Sequence, residues 1–242
     1  MIVGDARPET GLRIYAIGDV HGCHDELCQL LEYIEEDQKV FSSPRSRIIF
    51  LGDYVDRGPQ NAAVIETLIK LQNSDIDVEF LLGNHDERIL TFLKKPELVW
   101  DNVMKWGGAK TLETYGVVAM PGEDQESLRK RFREALPAQH HRFLKKLKSH
   151  TQSGDYFFCH AGVRPGVPLE KQSAHDLTWI RHDFLLHEKP FEKVIVHGHT
   201  PATEPEVMHN RINVDTRCYD SGVLTAVVLE ENRFRFLQTG SG

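Results

Sequence analysis

The heptapeptide GDYVDRG, residues 52–58, places two carboxylates and a guanidinium between glycines, directly after the short apolar run 47–51. Such a run, followed by a glycine turn, is typical of a buried strand that ends at the turn. Taken alone, the heptapeptide is equally compatible with a tight turn that contains a local salt bridge. Its meaning therefore depends on the residues that follow the other predicted strands.

Four other predicted strands end in the same way. They are 12–17 followed by GDVHG, 78–82 followed by GNHD, 156–159 followed by HAG, and 193–196 followed by HGHTP. Amphipathic segments separate the first three strands, which indicates an α/β core. Ligand sites of open α/β sheets collect at the carboxyl ends of strands. We therefore expect one convergent site formed by Asp19, Asp53, Asn84, His160 and His199.

These polar residues are more informative as a set than singly. An aspartate after a strand is usually a turn former or a helix cap, and a lone buried histidine is usually a satisfied core residue. Mixed carboxylate, imidazole and amide donors suit Mn, Fe or Zn rather than a thiolate metal or an all-oxygen calcium site. The donors are too many for one tetrahedral zinc ion. The set therefore predicts two divalent ions that share a bridging carboxylate.

Composition excludes several other classes of protein. The formal net charge of −7 argues against a partner bound through nucleic-acid phosphates. The four cysteines form no CxxC pair, the N-terminus has no signal-peptide pattern, and no apolar run approaches the ~20 residues of a membrane span. We expect a cytoplasmic protein without a membrane contact, a monomer or weak oligomer, and a single domain over residues 1–242. Residues 1–11 are expected to be a loose lead-in, and 90–150 a mainly helical segment bordering the site.

The ordered set GDVHG, GDYVDRG, GNHD, HAG and GHTP resembles the phosphoprotein phosphatase family of calcineurin-like metallophosphoesterases, from residue 14 to about 229. With WGG at 106–108, WIRHDFL at 179–185 and INVDT at 212–216, the chain is most similar to compact bacterial and phage serine/threonine protein phosphatases. The resemblance implies an α/β fold, a β-sandwich of mixed sheets flanked by helices.

The resemblance also implies a role for each donor and two divalent ions, Mn being favoured and Fe or Zn alternatives. Asp19 and His21 would hold the first ion, and Asp53 would bridge both. The second ion would be completed by Asn84, His160 and His199. His197 competes with His199, but the family ligand follows a small residue, as in Gly198-His199, so His197 is interpreted as a neighbour.

In this family a metal-bridging hydroxide attacks phosphorus directly, without a covalent phosphoenzyme. The resemblance makes His85 the general acid for a basic leaving alkoxide, with Asp56 hydrogen-bonded to its imidazole. Arg57 and Arg181 match phosphate clamps, because a guanidinium donates two hydrogen bonds to a phosphate. The simpler alternative for Arg181 is a surface salt bridge on a helix over 175–187.

The chain departs from the family pattern in two places. Leu82 stands where some compact members have an arginine before the Gly-Asn-His segment, so that clamp is missing, and Arg88 is a candidate to assist. Arg217 replaces the glycine of a common Asp-Thr-Gly. The basic residues within 129–148 are interpreted as a solvated helix face, with docking of an acidic substrate as the alternative.

Three functions compete. The favoured one is hydrolysis of phosphomonoesters, with a phosphorylated protein or a small phosphoester as substrate, by a serine/threonine protein phosphatase. The alternative is a hydrolase of dinucleoside polyphosphates; symmetrical enzymes of that kind typically lack the aspartate at the position of Asp56. A silent metal-binding interaction module is the third, which the retention of His85, Asp56 and Arg57 disfavours.

Overall fold

The computed structural model describes residues 1–41 and 45–240. The strands of that part are β1 (Leu12–Ile17), β2 (Arg45–Phe50), β3 (Val78–Phe80), β4 (His150–Ser153), β5 (Tyr156–Cys159), β6 (Val194–His197), β7 (Glu206–Met208), β8 (Arg211–Asn213), β9 (Thr225–Glu230) and β10 (Arg233–Gln238). They form two five-stranded sheets, ordered β10-β9-β1-β2-β3 and β4-β5-β6-β8-β7. Both sheets mix parallel and antiparallel pairs.

The helices alternate with the strands in the first half of the chain and cluster in its middle. They are α1 (His24–Val40), α2 (Asn61–Gln72), α3 (Asn84–Phe92), α4 (Trp100–Lys105), α5 (Gly108–Thr114), α6 (Gln125–Ala135), α7 (Ala138–Leu144), α8 (Ala174–Trp179), α9 (His182–Leu185) and α10 (Cys218–Ser221), with 3₁₀ turns at Pro96–Leu98 and Leu169–Lys171. The segment between α3 and β4 therefore contains four helices.

The alternation of side chains along β1 explains the layers. Ile14 and Ala16 face the second sheet and pack in one core with residues such as Phe158 of β5. Tyr15 and Ile17 face the other way and pack in a second core against the helices. Because successive side chains of a strand point to opposite faces, one apolar strand contributes to both layers. The predicted β-sandwich of mixed sheets flanked by helices is confirmed.

The N-terminal residues are better packed than expected. Residues 1–11 form no strand or helix, but Val3 and Ala6 are buried, and the Val3 amide donates to the carbonyl of His209 at 2.8 Å. The Tyr156 hydroxyl also donates to the Ala6 carbonyl. The expectation of a loose lead-in is therefore wrong, because these residues cover the edge of the second sheet's core.

Two further expectations are corrected. Strands β4 and β7 were not anticipated: they carry polar or exposed residues, and their pairing with β5 and β8 is a tertiary contact that a local pattern does not reveal. The single helix over 175–187 is two short helices, broken at Ile180 and Arg181, the latter at φ −135° and ψ −90°. No helix in the described parts of the chain is both long and apolar enough to cross a bilayer.

Candidate active site

The predicted donors meet at one edge of the sandwich. Asp19 follows β1, Asp53 follows β2, Asn84 begins α3 after β3, His160 follows β5 and His199 follows β6. All five side chains are buried. Together with the buried His21, which lies two residues beyond Asp19, they form what we call the strand-end cluster.

Asp53 lies at the centre of this cluster. Its Oδ2 atom is 3.4 Å from Nε2 of His21 and 3.4 Å from Nε2 of His160. It belongs both to a group of metal-binding side chains with His21 and His85, and to another with His160 and His199. Within each group the ligand atoms lie within 4.8 Å of one another. One carboxylate thus stands between two groups of donors that are able to bind metal ions.

On one side of Asp53, three donors converge. Oδ1 of Asn84 is 2.9 Å from Nε2 of His160 and 2.8 Å from Nδ1 of His199. Nδ1 of His160 is 3.0 Å from the carbonyl of Leu51, which only accepts, so Nδ1 carries the proton. Nε2 of His160 is then left with a lone pair that faces Asn84 and Asp53.

On the other side of Asp53, a hydrogen bond to a backbone carbonyl orients His21 in the same way. Its Nδ1 donates to the carbonyl of Val55 at 2.7 Å, which leaves a lone pair on the Nε2 that faces Asp53. Asp19 is more distant, with Oδ2 4.0 Å from that nitrogen, and its carboxylate accepts the His199 amide at 3.2 Å. His85 also contacts His21, edge to face, with ring centroids 4.6 Å apart.

Both ring nitrogens of His85 are already engaged. Nδ1 is 2.7 Å from Oδ2 of Asp56, and Nε2 accepts from the Arg57 guanidinium at 3.3 Å. Thr111 of α5 donates to the other oxygen of Asp56 at 2.6 Å and accepts the Asp56 amide at 2.9 Å. The predicted Asp56–His85 pair therefore exists in the fold. Its support by Thr111 comes from the helical segment, and sequence reasoning missed it.

The backbone of the site is held in a rare conformation. In the parts of the chain that the structure describes, seven non-glycine residues have positive φ. Five of these are predicted site residues, namely His21, Asp53, Asp56, Arg57 and His199. Such conformations cost free energy and persist where the surrounding structure imposes them. A glycine precedes His199 because a Cβ on Gly198 would lie 2.1 Å from the Asp19 carboxylate.

Asp86, which sequence reasoning did not single out, fixes the position of Asp53. Its carboxylate accepts the backbone amides of Asp53, Tyr54 and Gly83 at 2.9, 3.1 and 3.0 Å. The loops after β2 and β3 are thereby joined. The acidic residue at the end of GNHD was a signal for this role, since a carboxylate at the start of a helix commonly accepts backbone amides.

Burial sets the protonation states of the site. It lowers the pKa of His199 to about 2, and it lowers the pKa of His21 well below its usual value, so both imidazoles are neutral at pH 7. Burial also raises the pKa of Asp19, with Asp215 and Asp53 adding repulsion. Neutral imidazoles and crowded buried carboxylates are the ligands that a divalent cation stabilises, so the residues present fit such ions.

Beside the cluster lies a cavity of about 340 Å³. Its wall contains Asp19, Asp53, Arg57, Asn84, His85, Arg88, Asn102, Trp106, Trp179, Arg181 and His199. Arg57 lies over the Tyr219 ring at 4.4 Å, and Nε of Arg181 donates to Nε2 of His199 at 3.0 Å. Three guanidinium groups therefore line one cavity, which suits an anion of high charge.

His197, Arg217 and the basic residues within 129–148 lie outside the strand-end cluster. His197 is fully buried, contacts the Phe184 ring at 4.9 Å between centroids, and is not in the group of Asp53, His160 and His199. Burial lowers the pKa of His197 to about 3. Arg217 adopts φ 56° at the start of α10, its guanidinium 3.7 Å from Asp220. Within 129–148, Arg129 pairs with Glu126 of the same helix, and Arg131 pairs with Glu123, which lies just before that helix.

The fold and the strand-end cluster define a metallophosphoesterase. Residues 12–229 match the family of calcineurin-like phosphoesterases, and the chain belongs to that family.

Relatives carry a more specific name. A protein of Geobacillus sp. (strain WCH70) is 29% identical over 234 residues, which cover 89% of each chain, and is named an asymmetrical bis(5'-nucleosyl)-tetraphosphatase, PrpE. A protein of Anoxybacillus flavithermus with the same name is 30% identical over 230 residues, which cover 87% of this chain and 88% of that one.

Solved structures with this fold have diverse names. One is a candidate diadenosine tetraphosphatase, with a TM-score of 0.67, 21% identity and 97% of both chains covered. Another is a cold-active protein-tyrosine phosphatase of a Shewanella species, with a TM-score of 0.59, 18% identity and coverage of 98% and 84%. At these identities the likeness shows the fold alone.

Proposed function

We propose that this metallophosphoesterase hydrolyses bis(5'-nucleosyl) polyphosphates and cleaves a tetraphosphate asymmetrically, into a nucleoside monophosphate and a nucleoside triphosphate. The observation that carries the proposal is the cavity in which Arg57, Arg88 and Arg181 lie beside the strand-end cluster. The names of relatives that align with most of the chain support it. This substrate replaces the phosphorylated protein favoured from the sequence.

We propose that two divalent ions occupy the strand-end cluster. Asp19 and His21 would hold one ion and Asp53 would bridge both, while the second would be held by Asn84, His160 and His199. Bound there, the ions would supply activation of water and neutralisation of charge on phosphoryl oxygens. Mn remains the metal that we favour, with Fe and Zn as alternatives.

Arg57 and Arg181 would bind the phosphate that is attacked. Each guanidinium donates to a neutral histidine nitrogen, Arg57 to His85 at 3.3 Å and Arg181 to His199 at 3.0 Å. A phosphate oxygen is a stronger acceptor than an imidazole nitrogen for a guanidinium, because it is negatively charged and a phosphate accepts two parallel hydrogen bonds from the guanidinium fork. We therefore expect both arginines to turn from the histidines to the substrate.

His85 would then donate a proton to the leaving group. Once Arg57 releases Nε2, that nitrogen is free to carry a proton, while Asp56 accepts from Nδ1 and stabilises the charged ring. Thr111 keeps the Asp56 carboxylate in place. A leaving phosphate is less basic than an alkoxide, so the anhydride reaction needs this proton less than an ester does.

The second candidate is the serine/threonine protein phosphatase favoured from the sequence. The specific observation for it is the Asp56–His85 pair, because an acid for the leaving group matters most for an alkyl ester. A cavity lined by two tryptophans and three arginines is less suited to a protein chain than to a compact polyphosphate.

A substrate panel tests the proposal. The Mn-loaded protein would be given bis(5'-adenosyl) tetraphosphate, a phosphothreonine peptide and 4-nitrophenyl phosphate, and the products would be separated by ion-exchange chromatography. We expect the tetraphosphate to have the highest kcat/KM and to yield equal amounts of mono- and triphosphate. Faster turnover of the peptide would contradict the proposal and support the second candidate.

A further inference from the structure

One arginine in the cavity wall differs from the other two. Arg88 is only 4% exposed, yet Nε and Nη1 of its guanidinium have no hydrogen-bond partner among the residues that the structure describes. A buried polar group without a partner is costly, and a buried charge more so. Burial accordingly lowers the pKa of Arg88. An arginine kept in this state is ready for an anion that enters the cavity.

The described residues around Arg88 hold its guanidinium in place but accept no hydrogen bond from Nε or Nη1. Its guanidinium lies over the Trp179 ring, 5.2 Å from the centroid. The Trp179 indole is itself fixed, because its N–H donates to Glu87, the neighbour of Arg88 on α3. A cation over an aromatic face is attracted by it but receives no hydrogen bond. In the part of the chain that the structure describes, Nε and Nη1 of Arg88 therefore remain unpaired in a guanidinium that is held on a rigid support.

Its position in the site separates Arg88 from the other two arginines. Arg57 and Arg181 contact His85 and His199, which places them at the reacting phosphate. Arg88 lies one helical turn beyond His85 on α3 and packs on Trp179 instead. Unlike them, it is hydrogen-bonded to neither His85 nor His199, and it lines the same cavity. A second phosphate, linked to the first, would occupy such a place.

The cavity also offers an aromatic surface. Trp106 lines it and is 45% exposed, although large aromatic side chains are usually well buried. The following Gly107 has φ 98° and packs on the Arg57 backbone, where a Cβ would lie 2.5 Å from the Arg57 amide nitrogen. The indole is thus tied to the phosphate side of the site. Exposed aromatic rings beside cationic side chains are typical of nucleobase binding.

We propose that Arg88 binds a phosphate of the polyphosphate chain beyond the one that is hydrolysed, and that Trp106 stacks on a nucleobase of the same substrate. The inference rests on the proposed function and deepens it, since it identifies residues that distinguish a polyphosphate from a simple monoester.

The test compares two inorganic ligands, so that it does not depend on turnover. Tripolyphosphate and orthophosphate would be titrated calorimetrically into the Mn-loaded wild type, Arg88→Gln, and Arg142→Gln as a control that removes an exposed arginine outside the cavity. We expect Arg88→Gln to weaken tripolyphosphate binding roughly 10- to 100-fold, the usual range for a lost charged hydrogen bond. Orthophosphate binding should change less than about threefold, and the control should match the wild type.

Two results would overturn the assignment of Arg88. Equal weakening of both ligands would place Arg88 at the reacting phosphate, and unchanged tripolyphosphate binding would remove it from the site. If Arg88→Gln does not fold, the same titration is made with Arg88→Lys, which keeps the positive charge but not the paired donors of the guanidinium. Arg88→Gln should melt no lower than the wild type, whereas a structural arginine would lose stability.

The nucleobase half of the proposal has its own measurement. Trp106→Ala should weaken binding of bis(5'-adenosyl) tetraphosphate about tenfold, a typical stacking contribution, without affecting tripolyphosphate. Loss on both ligands, or on neither, would contradict stacking. If the tripolyphosphate result holds but the tetraphosphate is not hydrolysed, the proposed function fails while the phosphate subsite stands. If the tetraphosphate is hydrolysed but Arg88→Gln binds both inorganic ligands normally, the subsite fails alone.

Discussion

Two clusters of charged residues, one along β1 and one beyond its carboxyl end, differ in how fully their members pair with one another. The first, which we call the Arg13 cluster, contains Arg13, Tyr15, Asp37, Glu230 and Arg235. Arg13 donates to the Glu230 carboxylate at 2.8 Å and to the Phe41 carbonyl at 2.6 Å. Asp37 accepts from the Tyr15 hydroxyl at 2.7 Å and pairs with both arginines.

The strand-end cluster is the opposite case. Its carboxylates repel one another, its loops have positive φ at five predicted site residues, and Arg88 beside it lacks hydrogen-bond partners at two nitrogens. The members of the Arg13 cluster pair with one another and so stabilise the fold. The charges of the strand-end cluster and of Arg88 are not paired in this way, and we expect metal ions and substrate to pair with them. The comparison predicts that substitutions in the Arg13 cluster lower stability, whereas substitutions in the strand-end cluster lower metal binding and turnover.

Asp53→Asn should show the largest effect. The substitution removes the charge that both groups of donors share, so metal content and hydrolysis should fall together, hydrolysis by more than about 10³-fold because bound ions contribute several kcal/mol. Elemental analysis and turnover measure the two losses. Asp37→Asn is the matched control from the Arg13 cluster and should keep its metal. Near-normal turnover of Asp53→Asn would contradict the role of Asp53 as the ligand that both groups of donors share.

His85→Ala should have the next largest effect and spare the metal content. We expect hydrolysis of an alkyl phosphate to slow by roughly 10²–10⁴-fold, the usual contribution of a general acid. An aryl phosphate or a phosphate anhydride should lose less, because its leaving group needs the proton less. Steady-state rates on the three substrates are the measurement. Equal losses on all of them would show that His85 is not the acid.

Asp37→Ala should affect stability rather than turnover. It leaves the buried Arg13 guanidinium and the Tyr15 hydroxyl with one acceptor fewer. We expect a loss of about 2–3 kcal/mol, the cost of unpairing a buried charged group, and a melting temperature lower by about 4–12 °C. Thermal denaturation followed by circular dichroism measures this. An unchanged melting temperature with reduced turnover would mean that the two clusters are not separate.

Removal of metal should give the smallest effect. Divalent ions at about three times their Kd would stabilise the folded state by ~0.8 kcal/mol per site, or ~1.6 kcal/mol for two sites, so a chelator should lower the melting temperature by about 3–6 °C. The shift should vanish in Asp53→Asn and persist in Asp37→Ala. A chelator that leaves the wild type unaffected would indicate that the strand-end cluster holds no ion.

The donors of the strand-end cluster were predictable because each follows an apolar strand, and carboxyl ends of neighbouring strands meet in space. Arg181 was predicted as a phosphate ligand, but the break between α8 and α9 that frees it was not, since the local pattern continues through it. Thr111 was missed because its contact with Asp56 joins residues 55 positions apart. Such contacts have no local signature in a single sequence.

The preference for a phosphoprotein rested on the family resemblance and on His85, Asp56 and the arginines, but only Asp56 was used to argue against a dinucleoside polyphosphate. Asp56 was taken to favour a phosphoprotein, because symmetrical dinucleoside tetraphosphatases typically lack it. The relatives are named asymmetrical, so that reasoning excluded a different group of enzymes from the one that this chain resembles. The acid that we propose, His85 oriented by Asp56, would serve an anhydride as well as an ester, so the presence of Asp56 alone does not decide between them. The side chains that line the cavity, which come in part from α3, α4 and α8, are a better guide to the substrate than Asp56.

The most direct test of a two-ion centre on Asp53 is anomalous scattering from crystals grown with Mn²⁺. We predict two peaks, one on each side of the Asp53 carboxylate, with Asn84, His160 and His199 around one and His21 and Asp19 around the other. A single peak, or one confined to the separate group of Cys23, Glu26 and Cys218, would contradict the account.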